Sequence, residues 1–522
     1  MKRMIINRPA LTAMIVAALL SLLSCKKDSK GTEPPITGFS ADTVWIGKII
    51  TINGNGFSST ATENSVRIGS TIVTEVLEAS ATSLTIKVPA GATSGKVYVS
   101  VNGKENSSSG NLTIVNQMAW QKALGGTNSD IGVAVASSSD GGYLLAGYTN
   151  SSDGDVSNNY GNYDFWIVKL NADRTIAWQK VLGGSGEDRA NSIVALADGG
   201  CVVAGYTTST DGEVTGNHGR SDYWIIKLNA SGKIVWKSIF GGSGNDEATS
   251  IVSNPGGGYT VAGYSSSIDG NVSNNRGRID YWVVWLDENG ALINQKTYGG
   301  GGDDLARSLI TTSDGGYLVA GSTSSTNGNV TGNHGGNDYW ILKLNAAGSI
   351  EWQKALGGTG SEVAHSIMAA SDGSSVIAGY TNSTDGDVTG NHGRDDYWIV
   401  KLNANGTMAW QKALGGSSAD QALAITSAKD GGCAVAGITH SLDGDVTGNH
   451  GTASDSWIVR LNAGGSVVWK KALGGTRGET TYGIATIGKN FIAAGYSHSA
   501  DGDVSGVHGT VEVDLWLFNL LD

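Results

Sequence analysis

Residues 396–416 read DYWIVKLNANGTMAWQKALGG, two strand-like apolar runs joined by Asn403-Ala404-Asn405-Gly406, and this stretch decides the fold because the chain repeats it. Its W-Q-K-x-L-G-G half, or a close variant, begins at Trp120, Trp178, Trp236, Asn294, Trp352, Trp410 and Trp469, in steps of 58 residues five times and then 59. Its D-x-W half recurs at Asp164, Asp222, Asp280, Asp338, Asp396, Asp455 and Asp514, each two residues before a tryptophan. Self-similarity at a fixed period marks a repeat architecture and takes precedence over local readings. In the fifth copy strands are predicted over 364–370, 374–380, 397–402 and 407–413, with turn chemistry at Ser371-Asp372-Gly373 and at 403–406. Four short antiparallel strands per copy make a propeller blade.

The ends of the repeat region choose between a ring and an open array. The region starts with a fourth strand, 118–123, and stops with a third strand, 515–520. The first strand can therefore complete the last blade, which removes the sheet edges that an open solenoid would have to cap. The unit G-Y-L-V-A-G-Y-T, D-Y-W-I-V-K-L-N-A-x-G, W-Q-K-A-L-G-G resembles the bacterial SBBP-type β-propeller repeat over residues 118–522, a family that implies a fold and no settled activity.

Upstream, residues 34–115 are poor in charge and fall into short Val-, Ile- and Thr-rich runs. Ile50-Thr51-Ile52 precedes Asn53-Gly54-Asn55-Gly56-Phe57, and Val97, Val99 and Val101 alternate with polar residues as in a half-buried strand. The G-x-G-F turn and the V-P-A-G-x-x-S-G-x-V segment from Val88 resemble the IPT/TIG family of immunoglobulin-like domains, which implies a spacer or interaction module. The expected fold class is thus all-β: an immunoglobulin-like β-sandwich followed by a seven-bladed β-propeller closed by an N-terminal strand.

The N-terminus carries Lys2, Arg3 and Arg8 before a largely apolar run from Leu11 to Leu23, then Leu22-Leu23-Ser24-Cys25. This resembles a lipobox, which implies a signal peptide over 1–24, lipidation of Cys25, a tether over 25–33 and attachment to the bacterial outer membrane on an undetermined side. Two or more acyl chains give stable anchoring. Cys201 and Cys433 occupy the same place in the second and sixth copies, on nonadjacent sheets, and are expected to be unpaired core thiols.

Glycine is abundant at 78 of 522 residues, as many tight turns require, and the net charge of −12 without a basic run argues against a nucleic-acid partner. Candidate ligand or calcium loops are the D-G-D segments at Asp153 and Asp155, Asp211 and Glu213, Asp385 and Asp387, Asp443 and Asp445, and Asp501 and Asp503. Carboxylates two residues apart offer hard oxygen ligands, so calcium is the one cofactor considered; against it, the fourth copy has Asn327 and Asn329, and such side chains also pin their own loops. His218, His334, His392, His450 and His508 belong to five different copies, which disfavours a shared zinc. Trp285 and Asn294 depart from the repeat, and Trp285 is a candidate exposed contact. No catalytic constellation stands out. The expectation is a monomeric, non-catalytic envelope protein that binds a glycan or protein through its loop face, with a glycan-active or other hydrolytic propeller and a purely architectural component as alternatives.

Overall fold

The computed structural model describes residues 35–522 apart from 46, 90, 91, 115, 116 and 509–511. The signal segment, the tether, Cys25 and two residues of the V-P-A-G segment lie outside the described residues. The described residues are all-β apart from one short helical turn at Ala61–Glu63, and the chain divides into two compact units, Met1–Gln117 and Met118–Asp522.

In the first unit a four-stranded and a five-stranded sheet supply one core. Ile50, Ile52, Leu84 and Ile86 come from the first sheet, and Val66, Ile68, Val97, Val99 and Leu112 from the second. The alternation at Val97 and Val99 is the burial alternation of one strand, Gly95–Val101. The G-x-G-F turn has a steric cause. A Cβ on Gly54 would collide with the Phe57 ring and the Pro35 carbonyl, while Gly56 takes a φ of 72° that favours glycine.

In the second unit the described residues form seven four-stranded antiparallel sheets. The fifth contains Glu362–Ala369, Ser375–Thr381, Asp396–Leu402 and Met408–Leu414, in chain order. Its last hairpin is made by the predicted turn: Asn403 N–H donates to the Thr407 carbonyl at 2.9 Å, and Gly406 takes a φ of 77°. The third strand, Asp396–Leu402, is buried along its whole length, which is why it reads as a continuous apolar run instead of an alternating one.

The D-[YF]-W triplet joins one sheet to the next. Tyr339 meets Trp398 of the following sheet with ring centroids 4.5 Å apart and donates its hydroxyl to the Trp398 carbonyl at 2.8 Å. Tyr223 treats Trp282 in the same way, Tyr281 treats Trp340, and Tyr397 treats Trp457. Each consecutive pair of sheets shares an apolar core, and so do the last and the first, where Ile492, Ala494, Leu515 and Leu517 pack with Leu145, Trp166 and Val168. The strand Met118–Leu124 pairs antiparallel with Asp514–Leu520, and Trp516 donates its indole N–H to Gln121 Oε1 at 2.8 Å.

Trp285 is not an exposed contact: it is only 6% exposed, within the core shared by the third and fourth sheets. Cys201 and Cys433 are free and buried, and desolvation pushes both thiols up to about 12.

Candidate functional site

The acid four residues after each Gly-Gly is a buried strut. Asp130 accepts the Gly126 amide at 2.8 Å and the Ser151 hydroxyl at 2.8 Å, and it also accepts the Thr149 hydroxyl. Beside these struts stand the D-G-D loops. Asp153, Asp211, Asp385, Asp443 and Asp501 accept the amides of Thr127, Ser185, Thr359, Ser417 and Thr476 at 2.7–2.8 Å, which ties each loop to the neighbouring connection. Asn327 does the same for Gly301 at 2.7 Å, so the task asks for an acceptor and not for a charge. The second residues are held as well. Asp155 and Asp387 accept the Gly125 and Gly357 amides at 3.3 and 3.2 Å, and Glu213 and Asp445 pair with Lys237 and Lys470 at 2.9 Å. Asp503 lies 3.7 Å from His450. His218, His334, His392, His450 and His508 each place Nδ1 at 2.7–2.9 Å from the buried aspartate of the D-x-W motif. Among the described residues no three His, Cys, Asp or Glu side chains gather as a metal set.

Another group of residues breaks the symmetry of the repeat and converges in space. The first strand of every sheet carries a β-bulge at the same register, and the bulged residues are Val133, Asn191, Thr249, Arg307, His365, Leu423 and Tyr482. No two are alike. The residue before each is small and buried, six times glycine or alanine and once Thr481, whereas all seven bulged side chains are half-buried. Bulges re-aim side chains and favour functional sites. Here they turn seven different side chains into one cavity of about 360 Å3, lined also by Tyr148, Tyr206, Tyr264, Arg189 and Glu247. That volume lies at the lower end for small-ligand sites.

The lining is polar and partly tied together. Arg189 pairs with Glu187 and lies over the rings of Tyr148 and Tyr163, 4.6 and 5.0 Å from their centroids. Tyr264 donates its hydroxyl to Glu247, whose carboxyl is raised by burial against the pull of that bond and of Arg307. Thr249 Oγ1 lies 3.1 Å from the carbonyl oxygens of both Ala262 and Ala306. His365 sits 5.8 Å from the Tyr380 ring, and burial, helped by Arg307, brings its imidazole down to about 3, so it is neutral. The repeat alignment carries the signal for this site in the column that varies, not in the columns that recur. His365 attracts attention alone, but its six partners are ordinary residues until the seven copies are compared at this one register.

Comparison with known proteins gives a partial match. Over 176 residues the chain is 28% identical to the regulatory protein FlaEY of Caulobacter vibrioides, an alignment that takes in 30% of this chain and 18% of that relative's length. Among solved structures, the WD40 β-propeller domain of Doa1 aligns over 78% of this chain and 98% of its own, at 11% identity and a TM-score of 0.45. BamB from Moraxella catarrhalis aligns over 77% and 99%, at 16% identity and a TM-score of 0.38. An auxiliary nutrient binding protein from Bacteroides thetaiotaomicron aligns over 93% and 98%, at 11% and 0.33. Family models match the first unit: residues 34–115 are an IPT/TIG domain.

Proposed function

We propose that this chain is a non-catalytic binding protein of the bacterial cell envelope, in which a seven-bladed propeller holds a small polar ligand in the cavity at its axis. The observation that carries this reading is the bulge register. Positions whose only task is to support a blade recur in every copy, and the seven cavity-facing bulges instead carry seven different residues. A specific ligand requires such a departure from symmetry, with different groups held in place by their neighbours. Ring closure is supported by the pairing of Met118–Leu124 with Asp514–Leu520 and by the core shared between the last and first sheets. Binding is favoured over catalysis because the Thr249 hydroxyl is engaged with backbone carbonyls and Glu247 is engaged by Tyr264. Attachment to the outer membrane through Cys25 rests on the lipobox resemblance, and the IPT/TIG domain then serves as spacer.

The test is a thermal-shift screen of sugars, sugar acids, amino acids and dicarboxylates against the wild type and Leu423→Trp, which fills the cavity. Compounds that raise the wild-type Tm should leave the variant unmoved. Equal responses in both proteins would move the site elsewhere, and a screen without any stabilising compound would count against the cavity reading.

A further inference from the structure

Two arginines line the cavity, and among the described residues only Arg189 has a carboxylate at ion-pair distance. Arg307 stands on the bulge of the fourth sheet, between Thr249 of the third and His365 of the fifth. Its Nε is buried without a hydrogen-bond partner among the described residues. The nearest aromatic support is the Tyr264 ring, 5.8 Å away, and the nearby Glu247 carboxylate already accepts the Tyr264 hydroxyl. Arg189 on the second sheet also has an Nε without a hydrogen-bond partner among the described residues, but it differs in being ion-paired with Glu187 and in lying 4.6 and 5.0 Å from the ring centroids of Tyr148 and Tyr163. Among the described residues no carboxylate lies at ion-pair distance from Arg307, and Glu247, the one cavity carboxylate that feels its charge, is already engaged by Tyr264. A partly desolvated guanidinium with a free donor is unfavourable until something accepts from it. Its planar fork is matched by a carboxylate, which can accept two parallel N–H bonds.

The remaining groups narrow the ligand further. Tyr148, Tyr206, Tyr264 and Tyr482 line the cavity, with Arg189 over the Tyr148 ring and the Tyr264 hydroxyl donated to Glu247, and Asn191, Glu247 and the neutral His365 add hydrogen-bonding groups. Flat aromatic faces beside mixed hydrogen-bonding groups suit a ring with apolar C–H faces and hydroxyl edges. We propose, building on the binding reading above, that the cavity takes a sugar acid: a polyhydroxylated ring bearing one carboxylate, with the Arg307 guanidinium as its anion partner. The same chemistry is presented by a free hexuronic acid and by the terminal residue of an acidic polysaccharide.

Titration calorimetry on the full chain tests this with D-galacturonate and D-glucuronate, and with D-galactose and D-glucose, which carry CH2OH in place of the carboxylate. At least one acid should bind and raise the Tm, and its neutral counterpart should bind at least about tenfold more weakly. Arg307→Gln should lower affinity for the acid by about 10- to 100-fold, the scale of a lost charge-assisted hydrogen bond, and leave the neutral sugar unaffected. Arg307→Lys, which keeps the charge but not the fork, should fall between. Trigalacturonate separates the two sources: binding as tight as the monomer indicates a chain end, and its rejection indicates a free acid, and either result supports the proposal. Equal binding of acid and neutral sugar, or acid binding indifferent to Arg307→Gln, overturns the sugar-acid proposal and leaves the cavity reading standing if Leu423→Trp still abolishes binding. If neither acid binds, the proposal is overturned, and the wider screen then judges the cavity reading alone.

Discussion

Trp285 covers Gly348 of the following sheet, the contact that Trp178 makes with Gly232, Trp236 with Gly290, Trp352 with Gly406 and Trp410 with Gly465. Those four tryptophans lie on fourth strands, whereas Trp285 lies on a third strand, directly opposite Asn294, the residue that replaces the fourth-strand tryptophan in its sheet. The indole has crossed to the neighbouring strand and kept its target. A third change accompanies the swap. In four other copies the position of Trp285 holds Lys169, Lys343, Lys401 or Arg460, paired with Asp140, Asp314, Asp372 or Asp430, and the third copy has Gly256 where that aspartate would stand.

This relationship predicts a coupled pair. Trp285→Lys should destabilise the second unit by about 2–4 kcal/mol, since a large buried ring is lost and no aspartate awaits the new ammonium. Asn294→Trp alone should bring little gain, because Gly348 is already covered. The double substitution should recover most of the loss, with a coupling energy above roughly 1 kcal/mol in a denaturant double-mutant cycle. Additive effects would mean that the two positions do not share one packing site.

A second prediction concerns pH. In each sheet the D-x-W aspartate faces the acid of the following connection across a glycine: a Cβ on Gly183 would strike both Asp164 and Asp188, and one on Gly299 both Asp280 and Asp304. Among the described residues, Oδ1 of Asp164, Asp222, Asp280, Asp338, Asp396, Asp455 and Asp514 has no hydrogen-bond partner. Burial first, and the facing carboxylate in addition, push Asp164, Asp280 and Asp130 up to about 6. The folded state therefore holds these protons more tightly than the unfolded chain, whose carboxyls titrate near 4. This contribution is fully present below about pH 4 and is lost as pH rises through about 6. His365 acts in the opposite sense, since the unfolded chain gains its proton below about 6.5 while the folded imidazole waits until about 3. Three acids outweigh one base, so the Tm should be higher at pH 5 than at pH 8, by roughly 5 °C. A Tm that falls on going from pH 8 to pH 5 would mean that these carboxylates are solvated or neutralised by something bound.

The thiols give a third test. Cys201 and Cys433 are buried and raised to about 12, so neither offers a thiolate to a reagent at neutral pH. Both should react only after unfolding, and mass spectrometry should find no link between them. A native crosslink from Cys201 to Cys433 would place the second and sixth sheets side by side, against the order of shared cores.

The sequence alone reveals the repeat because the copies share the same acidic struts, buried tryptophans and Gly-Gly connections, and recurrence makes those constraints visible. The strands of the fifth copy fall within two residues of their predicted bounds for the same reason, since turn chemistry sets them. The cavity is less legible. A binding site in a symmetric frame is written in residues that do not recur, such as Val133, Asn191 and Thr249, and only the bulge geometry shows that they face one space. Trp285 misleads for a related reason: an aromatic in a lysine column suggests exposure until its strand partner Asn294 is known.

The anchor reading yields a fourth prediction. If Cys25 is lipidated, Cys25→Ala should move the protein from the membrane pellet to the soluble fraction. Continued sedimentation with membranes would argue against the lipobox and for another mode of attachment.

The last prediction tests the ring through its ends. Deleting residues 1–115 removes the IPT/TIG domain and leaves the strand Met118–Leu124, whereas deleting 1–124 removes that strand as well. With it go the ladder to Asp514–Leu520 and the Gln121 side chain that accepts the Trp516 indole N–H. The equivalent bond within the fifth sheet runs from Trp398 to Gln411, between strands adjacent in the chain; in the last sheet it spans nearly the whole second unit. Losing the strand exposes the edge of Asp514–Leu520 and uncovers part of the core that contains Trp516, at a cost on the order of several kcal/mol. The shorter deletion should melt as one cooperative, monomeric transition, and the longer one should melt much earlier or aggregate through its open edge. Calorimetry with light scattering reads both. Equal stability of the two variants would sink the closed ring and favour an open array, in which a terminal strand supports only its nearest neighbour.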